Sequence, residues 1–397
     1  MIAQLRQTLP GRIGGLPERL LAVTRQALGR AASSPKAVAK PPDPRQAFGI
    51  PFWYQWNHCE PAVSLALRDL CRPGDVVFDV GANAGSLSVL MSRLVGPRGI
   101  VCSFEASPRI VDKCQYNLTA NGCTNVTLYH RAVYRESRQM LRLFAGPHLN
   151  DSLVQWTDSE TSNLVQTVSI DDFVSHTGLV PKLIKMDVEG AEFDALQGMA
   201  RTLAVSRPHL ILEQSPRDMR CHEVLVAAGY RASDLATLRT VVSQADFDPE
   251  VDVANVLFVH EHHCGRTPYS TDIARRELPR VSSEQFRMTE DMAPRLEAAL
   301  TLLAGRYAIE LDVASDSQDC EVMCGVDADD QPMMRYHANA NFLSRSYRQW
   351  VIDLPRTQRV QLYWRVMNEQ PDPTLRLRGA KLERLTSFDN WLPPLVD

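Results

Sequence analysis

The chain has 397 residues, of which 44% are hydrophobic and 23% are charged, and its formal net charge is −4 at pH 7. Its length exceeds that of one typical domain and its composition is near the globular average, so the sequence predicts two domains with sizeable cores. The small negative charge gives no reason to expect a nucleic-acid partner, and no run of 18 apolar residues predicts a membrane-spanning helix.

Residues 1–45 are predicted to form a basic arm and linker. The charged residues of the arm are arginine and lysine apart from Glu18 and Asp43, and leucines are interspersed among them. Such a segment favours peripheral contact with an anionic membrane or a partner, and the alternative is a loosely ordered tail with a short helix. Three prolines within residues 41–44 predict a linker before the first domain, which we assign to residues 46–264.

A short apolar strand that runs into a glycine-punctuated turn is the most informative pattern of this domain. Val76–Val80 predicts a buried strand, and a helix follows from about Ser86. In the turn between them, Gly81 and Gly85 permit tight backbone turns and close approach of a ligand, because they lack a Cβ atom. This order of strand, turn and helix opens a βαβ unit.

The spacing within the turn favours one class of cofactor over another. A dinucleotide site has the pattern G-x-G-x-x-G, whereas position 83 is an asparagine, and Asp79 would repel a pyrophosphate. An acid suits a ligand with an amino-acid head group and a positive centre, which describes S-adenosylmethionine. The next strand, Ile100–Phe104, ends at Glu105, about 20 residues after the turn, where an acid grips a ribose diol. The predicted cofactor-binding residues are Asp79, Gly81, Asn83, Gly85, Glu105 and Ser107.

The rest of the first domain continues to alternate between strands and helices. A helix is predicted over 108–121, and the segments after it are a strand over 126–133, a hairpin over 139–169, a helix over 170–176, a strand over 182–186, a helix over 190–203, a strand over 209–213, a helix over 218–229 and a closing pair of strands near 238–244 and 254–260. This alternation predicts an α/β fold with a parallel, doubly wound sheet and ligands at the carboxyl ends of its strands.

Three acids follow two neighbouring strands of this predicted sheet. Asp187 and Glu189 follow the strand over 182–186, and Glu213 ends the next strand, so we expect all three at the cofactor's edge of the sheet. They are the predicted catalytic residues, because methyl transfer to a hydroxyl needs an aligned acceptor and a base for its proton. Alternatively, Asp187 and Glu213 hold a divalent cation such as Mg²⁺, or Glu189 merely caps the following helix.

The pattern changes after about residue 265. A linker and a helix over 292–303 are predicted within residues 265–304, and residues 305–397 show period-two alternation typical of an antiparallel β-sandwich. Aromatic and polar residues of this region predict carbohydrate binding, and the competing interpretation assigns the aromatic ones to the core or to a dimer contact. The residues concerned are Tyr336, His337, Asn339, Asn341, Tyr347, Trp350, Tyr363, Trp364 and Arg365.

Taken in order, the motifs resemble the FkbM family of methyltransferases over about residues 50–262. The motifs that carry the resemblance are Glu60-Pro61, Asp79-Val80-Gly81-Ala82-Asn83-x-Gly85, Phe104-Glu105-x-x-Pro108, Asn125-Val126 through Ala132-Val133, Ile184-Lys185-x-Asp187-x-Glu189-Gly190-x-Glu192 and Asn255-Val256-Leu257-Phe258. The resemblance implies a class I, Rossmann-like methyltransferase fold, S-adenosylmethionine bound by Asp79, Gly81, Asn83, Gly85 and Glu105, and O-methylation of sugar or polyketide-type hydroxyls. One departure is Ala106, where the family often has proline.

The sequence therefore predicts an S-adenosylmethionine-dependent O-methyltransferase that acts on a hydroxyl of a sugar or glycan acceptor. The alternatives are a nicotinamide-dependent oxidoreductase, which the missing loop glycine disfavours, and a non-catalytic glycan-binding protein. Nine cysteines without a C-x-x-C pair indicate a reduced, cytoplasmic protein rather than a disulfide framework. The sequence leaves open whether the chain forms a homo-oligomer.

Overall fold

The structure is a computed structural model. It describes residues 60–146, 151–154, 162–247, 249, 251–263, 265–270, 273–277, 287–288, 295–317, 320–329, 331–339, 349–366, 374 and 376–386. The predicted basic arm and linker over 1–45 lie outside these residues. None of the helices in the described part of the chain is long and apolar enough to cross a membrane.

The first half of the described chain alternates between strands and helices, as predicted. In chain order its strands are β1 (Val76–Val80), β2 (Ile100–Glu105), β3 (Val126–His130), β4 (Ala132–Val133), β5 (Met140–Phe144), β6 (Ser162–Val168), β7 (Leu183–Met186), β8 (His209–Gln214), β9 (Tyr230–Asp234), β10 (Arg239–Val241) and β11 (Ala254–His260). Its α-helices are α1 (Pro61–Leu70), α2 (Ser86–Val95), α3 (Pro108–Ala120), α4 (Ile170–Thr177), α5 (Glu192–Gln197), α6 (Ala200–Ser206) and α7 (Arg220–Ala227).

Eight of these strands form one sheet in the order β10-β9-β11-β8-β7-β1-β2-β3. The five strands from β8 to β3 are parallel, and β11 runs antiparallel to both β8 and β9. Apolar side chains from both faces are buried, including Phe78, Phe104 and Ile184 on the face that packs against Phe173 of α4. This confirms the predicted Rossmann-like α/β fold, and it places the carboxyl ends of β1, β7 and β8 side by side.

Three details of this half differ from the prediction. Strand β9 was not predicted because Tyr230 is its only large apolar residue, and it forms by pairing with β11. The edge strand β10 consequently pairs with β9, and the predicted pairing of the last two strands was wrong. The predicted helix over 190–203 is two helices, and Gly198 between them lies so close to the Tyr134 carbonyl that a Cβ atom would come within 2.2 Å of it.

The described residues after 270 form antiparallel sheets, as predicted for residues 305–397. Their strands are β12 (Arg275–Glu277), β13 (Arg287–Met288), β14 (Arg295–Leu302), β15 (Gly305–Ala314), β16 (Glu321–Ala328), β17 (Gln331–Asn339), β18 (Gln349–Leu354), β19 (Gln358–Val366) and β20 (Arg376–Leu385). Strands β12 to β14 lie in the part predicted as a linker and helix. They form a four-stranded sheet in the order β12-β20-β15-β18 and a five-stranded sheet in the order β13-β14-β19-β16-β17. The domain boundaries drawn from the sequence stay predictions.

The predicted helix over 292–303 was wrong, because residues 295–302 form strand β14. Alanine, leucine and glutamate in this stretch favour a helix by intrinsic propensity. Strand β14 nevertheless pairs with β19 along its whole length, from Arg295 opposite Arg365 to Leu302 opposite Gln358. The hydrogen bonds and side-chain packing of the sheet therefore outweigh the local preference.

The prediction that aromatic residues of this region stack on sugars is wrong for two of them. Trp350 and Tyr363 are 2% and 4% exposed, so both belong to the core, as the competing interpretation had it. The side chains of the other residues predicted for this role lie outside the described part of the structure.

The four-stranded sheet packs against α1 through a buried ionic cluster. The guanidinium of Arg306 on β15 is fully buried and donates hydrogen bonds to both Asp69 oxygens, at 2.6 and 3.0 Å. It also donates to Asp353 of β18 at 2.5 and 2.8 Å, and the Tyr269 hydroxyl donates to Asp69 at 2.5 Å. The cluster anchors the helix whose first residue follows Glu60.

Candidate active site

The turn between β1 and α2 has a backbone that only glycine can adopt at its first position. Gly81 has a φ of 79°, and a Cβ atom on it would lie 1.7 Å from the Asp187 carbonyl oxygen. The backbone N–H groups of Gly81 and Ala82 donate to the Phe104 carbonyl at 3.0 and 2.9 Å. The turn therefore lies directly against the ends of both neighbouring strands, β2 and β7.

Asp79 lies beneath this turn. Its carboxyl group is 1% exposed and accepts a hydrogen bond of 2.5 Å from Ser88 of α2, and the Ser88 and Ser103 hydroxyls are 2.7 Å apart. Burial raises the pKa of Asp79, and the nearby Lys185 ammonium opposes that shift. Asp79 and Gly85 therefore support the turn from below, and neither lines the cleft in front of it. Their assignment as cofactor-binding residues stays a prediction.

Glu105, at the end of β2, joins the turn to the start of α3. Its two carboxylate oxygens accept the backbone N–H groups of Asn83 and Ser107, at 2.8 and 2.7 Å. Burial raises its pKa, and these two hydrogen bonds oppose the shift. A carboxylate has about four lone-pair positions, so Glu105 can accept further hydrogen bonds from a ligand in the cleft that it lines.

Ser107 is fully buried and caps α3. Its hydroxyl accepts the Arg109 N–H at 3.2 Å and donates to Asp151 at 2.5 Å, so it has two protein partners. Arg109 also forms an ion pair with Asp151. Ser107 therefore holds the segment around Asp151 over the cofactor edge of the sheet.

Two clefts meet in front of the sheet's carboxyl edge. The first lies beside the turn between β1 and α2. It is lined by the predicted cofactor residues Gly81, Asn83 and Glu105, together with Asp187 and Glu189. The second, larger cleft is lined by Glu213, Gln214 and Phe193 among others, and Glu189 lines both clefts.

The three predicted catalytic acids converge at this junction. Asp187, Glu189 and Glu213 each offer a carboxylate oxygen, and these oxygens lie within 4.8 Å of one another. The Lys185 ammonium, which is buried, donates to Asp187 at 2.9 Å. Burial opposes the charge of Lys185, but Asp187, Glu60 and Asp79 together hold its pKa well above the ordinary value.

Burial and mutual repulsion raise the pKa values of two of these acids. Burial, Asp187 and Glu192 raise the pKa of Glu189 to about 7. Burial raises the pKa of Glu213 well above its ordinary value, and the charges of Asp187 and Glu189 and a hydrogen bond with Asp187 act in the same direction. The shift of Glu213 favours its protonated form, and at neutral pH Glu189 is close to its midpoint.

Glu189 does not cap the following helix, so that alternative was wrong. Helix α5 begins at Glu192, whose own carboxylate accepts the Val188 N–H at 2.8 Å. Glu189 instead has a φ of 54°, a left-handed conformation that is uncommon outside glycine, and its carbonyl accepts the Ser152 hydroxyl at 2.6 Å. Strained conformations of this kind cluster at functional sites, where the surrounding structure holds them in place.

Two members of the site were not predicted as such from the sequence. Lys185 is a charged residue inside the buried strand Leu183–Met186, and that contrast was an available signal. Glu60 precedes α1 with a φ of 45°, and burial raises its pKa near Lys185 and Asp187. Only its place in the family motif marked Glu60 in the sequence, because it is more than 120 residues from the acids it approaches.

A model of a known protein family matches the part of the chain that contains most of this site. The model described as Methyltransferase FkbM domain matches residues 79–232. The 2-O-methyltransferase NoeI of Sinorhizobium fredii (strain NBRC 101917 / NGR234) is 29% identical over 153 residues, which are 34% of this chain and 62% of that protein. The hexuronic acid methyltransferase AglP of Haloferax volcanii is 29% identical over 146 residues, which are 36% of this chain and 58% of that protein.

The chain therefore spans less than two thirds of the length of either relative. Among solved structures, the methyltransferase FkbM from Methylobacillus flagellatus KT aligns with 49% of this chain and 50% of its own chain, at 16% identity and a TM-score of 0.31.

Proposed function

We propose that the chain transfers a methyl group from S-adenosylmethionine to a hydroxyl oxygen of a saccharide acceptor. The premise is that residues 79–232 belong to the FkbM methyltransferase family, as the motif order predicted. The observation that carries this proposal is Glu189, a carboxyl group with a pKa of about 7 at the junction of two clefts. The proposal assigns the first cleft to the cofactor and the second to the acceptor.

The first cleft has the donors and acceptors that this cofactor needs. When bound, S-adenosylmethionine supplies an electrophilic methyl group on a sulfonium. We assign the ribose hydroxyls to Glu105, whose carboxylate is already oriented by two backbone N–H groups. Gly81 and Asn83 line the cleft and admit the ligand close to the backbone. Asp79, Gly85 and Ser107 act by holding the shape of the turn and of its surroundings.

Glu189 is the proposed general base. A base is most effective when its pKa lies near the working pH, and a pKa of about 7 meets this condition. Glu189 takes the proton that the acceptor hydroxyl loses as its oxygen forms the new bond to carbon. Glu213, whose raised pKa favours the protonated form, and Asp187, which pairs with Lys185, orient the acceptor by hydrogen bonds.

The composition of the second cleft supports a saccharide acceptor. It combines the carboxyl groups of Glu189 and Glu213 with the aromatic rings of Phe144 and Phe193, a mixture that suits the hydroxyls and apolar faces of a sugar. Gln214 is 4% exposed, and its Oε1 atom has no hydrogen-bond partner among the described residues, so a donor from a ligand would satisfy it. The names of both relatives, a 2-O-methyltransferase and a hexuronic acid methyltransferase, are consistent with this class of acceptor.

The three carboxylates also have the spacing of a cation site, which is the alternative drawn from the sequence. The Lys185 ammonium already pairs with Asp187 at 2.9 Å, and the raised pKa of Glu213 disfavours its charged form, so both reduce the attraction of the cluster for a cation. We therefore propose a metal-free transfer, in which Asp187 and Glu213 bind the acceptor rather than Mg²⁺.

The test is transfer of isotopically labelled methyl from S-adenosylmethionine into a panel of saccharides. Glu189→Gln removes the base and keeps the side-chain volume, so kcat should fall by about 10²–10⁴-fold. Glu223→Gln, an exposed glutamate on α7, is the matched control and should leave kcat unchanged. Methyl transfer at the wild-type rate by Glu189→Gln would overturn the assignment of the base, and calorimetry that detects no cofactor binding would favour the non-catalytic alternative.

A further inference from the structure

The second cleft is rich in acids. Its described lining contains the acidic residues Glu189, Glu192, Glu213, Asp218 and Asp252, and its basic residues there are Arg217 and Arg220. The acids of this described lining outnumber its bases. An anionic group on an acceptor would therefore enter a cleft of the same sign.

Both arginines of this lining are already engaged by carboxylates of the same cleft. The Arg217 Nη2 atom lies 3.0 Å from an Asp252 oxygen. Arg220 donates from Nε and Nη2 to the two Asp218 oxygens, at 2.9 and 2.5 Å, and its guanidinium lies 4.6 Å from the centre of the Phe193 ring. A carboxylate on an acceptor would have to compete with these partners for either guanidinium.

Arg131 lines the first cleft, and the sequence segment that contributes to the second cleft adds no lysine or arginine. Residues 143–181 contain no lysine or arginine, and this stretch includes the lining residues Phe144, Ser152 and Val154. The buried Lys185 at the junction is held by Asp187. Binding that brings like charges together without a neutralising partner costs several kcal/mol of binding free energy. The acidic lining with its paired arginines therefore discriminates against anionic acceptors.

We infer that the acceptor is a saccharide whose methylated sugar unit carries no carboxylate or phosphate, and that the Arg217–Asp252 and Arg220–Asp218 pairs help to set this preference. The inference rests on the proposed function and narrows its substrate class. It separates this chain from the relative named as a hexuronic acid methyltransferase.

The experiment compares matched methyl glycosides that differ only at C6, a neutral hexopyranoside and the corresponding hexuronide, for several sugar configurations. Methyl transfer from labelled S-adenosylmethionine gives kcat/KM for each member of a pair. The wild-type protein should prefer the neutral member by about tenfold or more, which corresponds to one unfavourable charge contact. Preference for the hexuronide would overturn the inference and leave the proposed function standing.

A variant tests the role of the ion pairs. Asp252→Asn releases Arg217, so the ratio of kcat/KM for hexuronide over neutral glycoside should rise about two- to fivefold, the effect of one exposed ion pair. Asp329→Asn, which releases Arg356 in an equally exposed ion pair outside both clefts, is the control and should leave the ratio unchanged. An unchanged ratio in Asp252→Asn would overturn the role of the pair. Transfer to no saccharide of any pair would contradict the proposed function itself.

Discussion

Replacing Asp69 with alanine removes the main partner of the buried Arg306 guanidinium. In the native protein the Arg306 side chain is 0% exposed, and it donates to both Asp69 oxygens. After the substitution, Asp353 would remain as its partner, at 2.5 and 2.8 Å. The Tyr269 hydroxyl would lose its acceptor as well. The variant therefore leaves a partly compensated charge in the interface between α1 and the four-stranded sheet.

Breaking a buried ion pair costs about 3–5 kcal/mol, because the remaining charge stays out of water without its partner. Since Asp353 still balances part of the Arg306 charge, we expect the broken pair with Asp69 to lower the free energy of unfolding by about 3 kcal/mol. The lost hydrogen bond of Tyr269 adds about 1 kcal/mol. The free energy of unfolding should therefore fall by about 4 kcal/mol in the Asp69→Ala variant.

Urea unfolding monitored by tryptophan fluorescence and by circular dichroism measures this loss. Asp312→Ala is the matched control, because Asp312 pairs with Arg378 in the same sheet and both side chains are partly exposed. It should cost less than about 1 kcal/mol. A loss in Asp69→Ala no larger than that in Asp312→Ala would refute the reasoning that the buried cluster joins α1 to the sheet.

Three further predictions concern the site. With Glu189 as the base, kcat should rise with pH through about 7. Because the pKa of Glu189 is higher in the folded than in the unfolded chain, the free energy of unfolding should fall as pH rises from about 4.5 through 7. The Glu189→Gln variant should lose both pH dependences. Gly81→Ala should weaken cofactor binding by at least about tenfold in calorimetry or prevent folding, since its Cβ atom would meet the Asp187 carbonyl. Gly178 also has a positive φ, but there is open space around the position of its Cβ atom. The control Gly178→Ala should therefore lower the free energy of unfolding by only about 1–2 kcal/mol and keep cofactor binding. Treatment with EDTA should leave methyl transfer unchanged, and activity that is lost and then restored by Mg²⁺ would instead support the cation site at Asp187.

The sequence predicted the strands and the turn at the carboxyl edge of the sheet because their signals are local. The strand Val76–Val80, the glycine turn and the acid after β2 each follow from a short run of neighbouring residues. The convergence of Asp187 and Glu213 also followed, since the carboxyl ends of adjacent parallel strands meet at one edge. Strand β14 shows the limit of such reasoning, because its helix-favouring residues are held by pairing with β19, more than 50 residues away.

The sequence by itself determined the Rossmann-like alternation, the match of residues 79–232 to the FkbM methyltransferase domain model and the positions of the acids along the chain. Only the tertiary structure decided how the pKa of each acid is shifted. The pKa of Glu189 depends on its burial and on Asp187 and Glu192, and that of Glu213 depends on its burial and on the charges of Asp187 and Glu189. Ionisation is set by desolvation and by nearby charges in space, and a strand-end motif contains neither quantity.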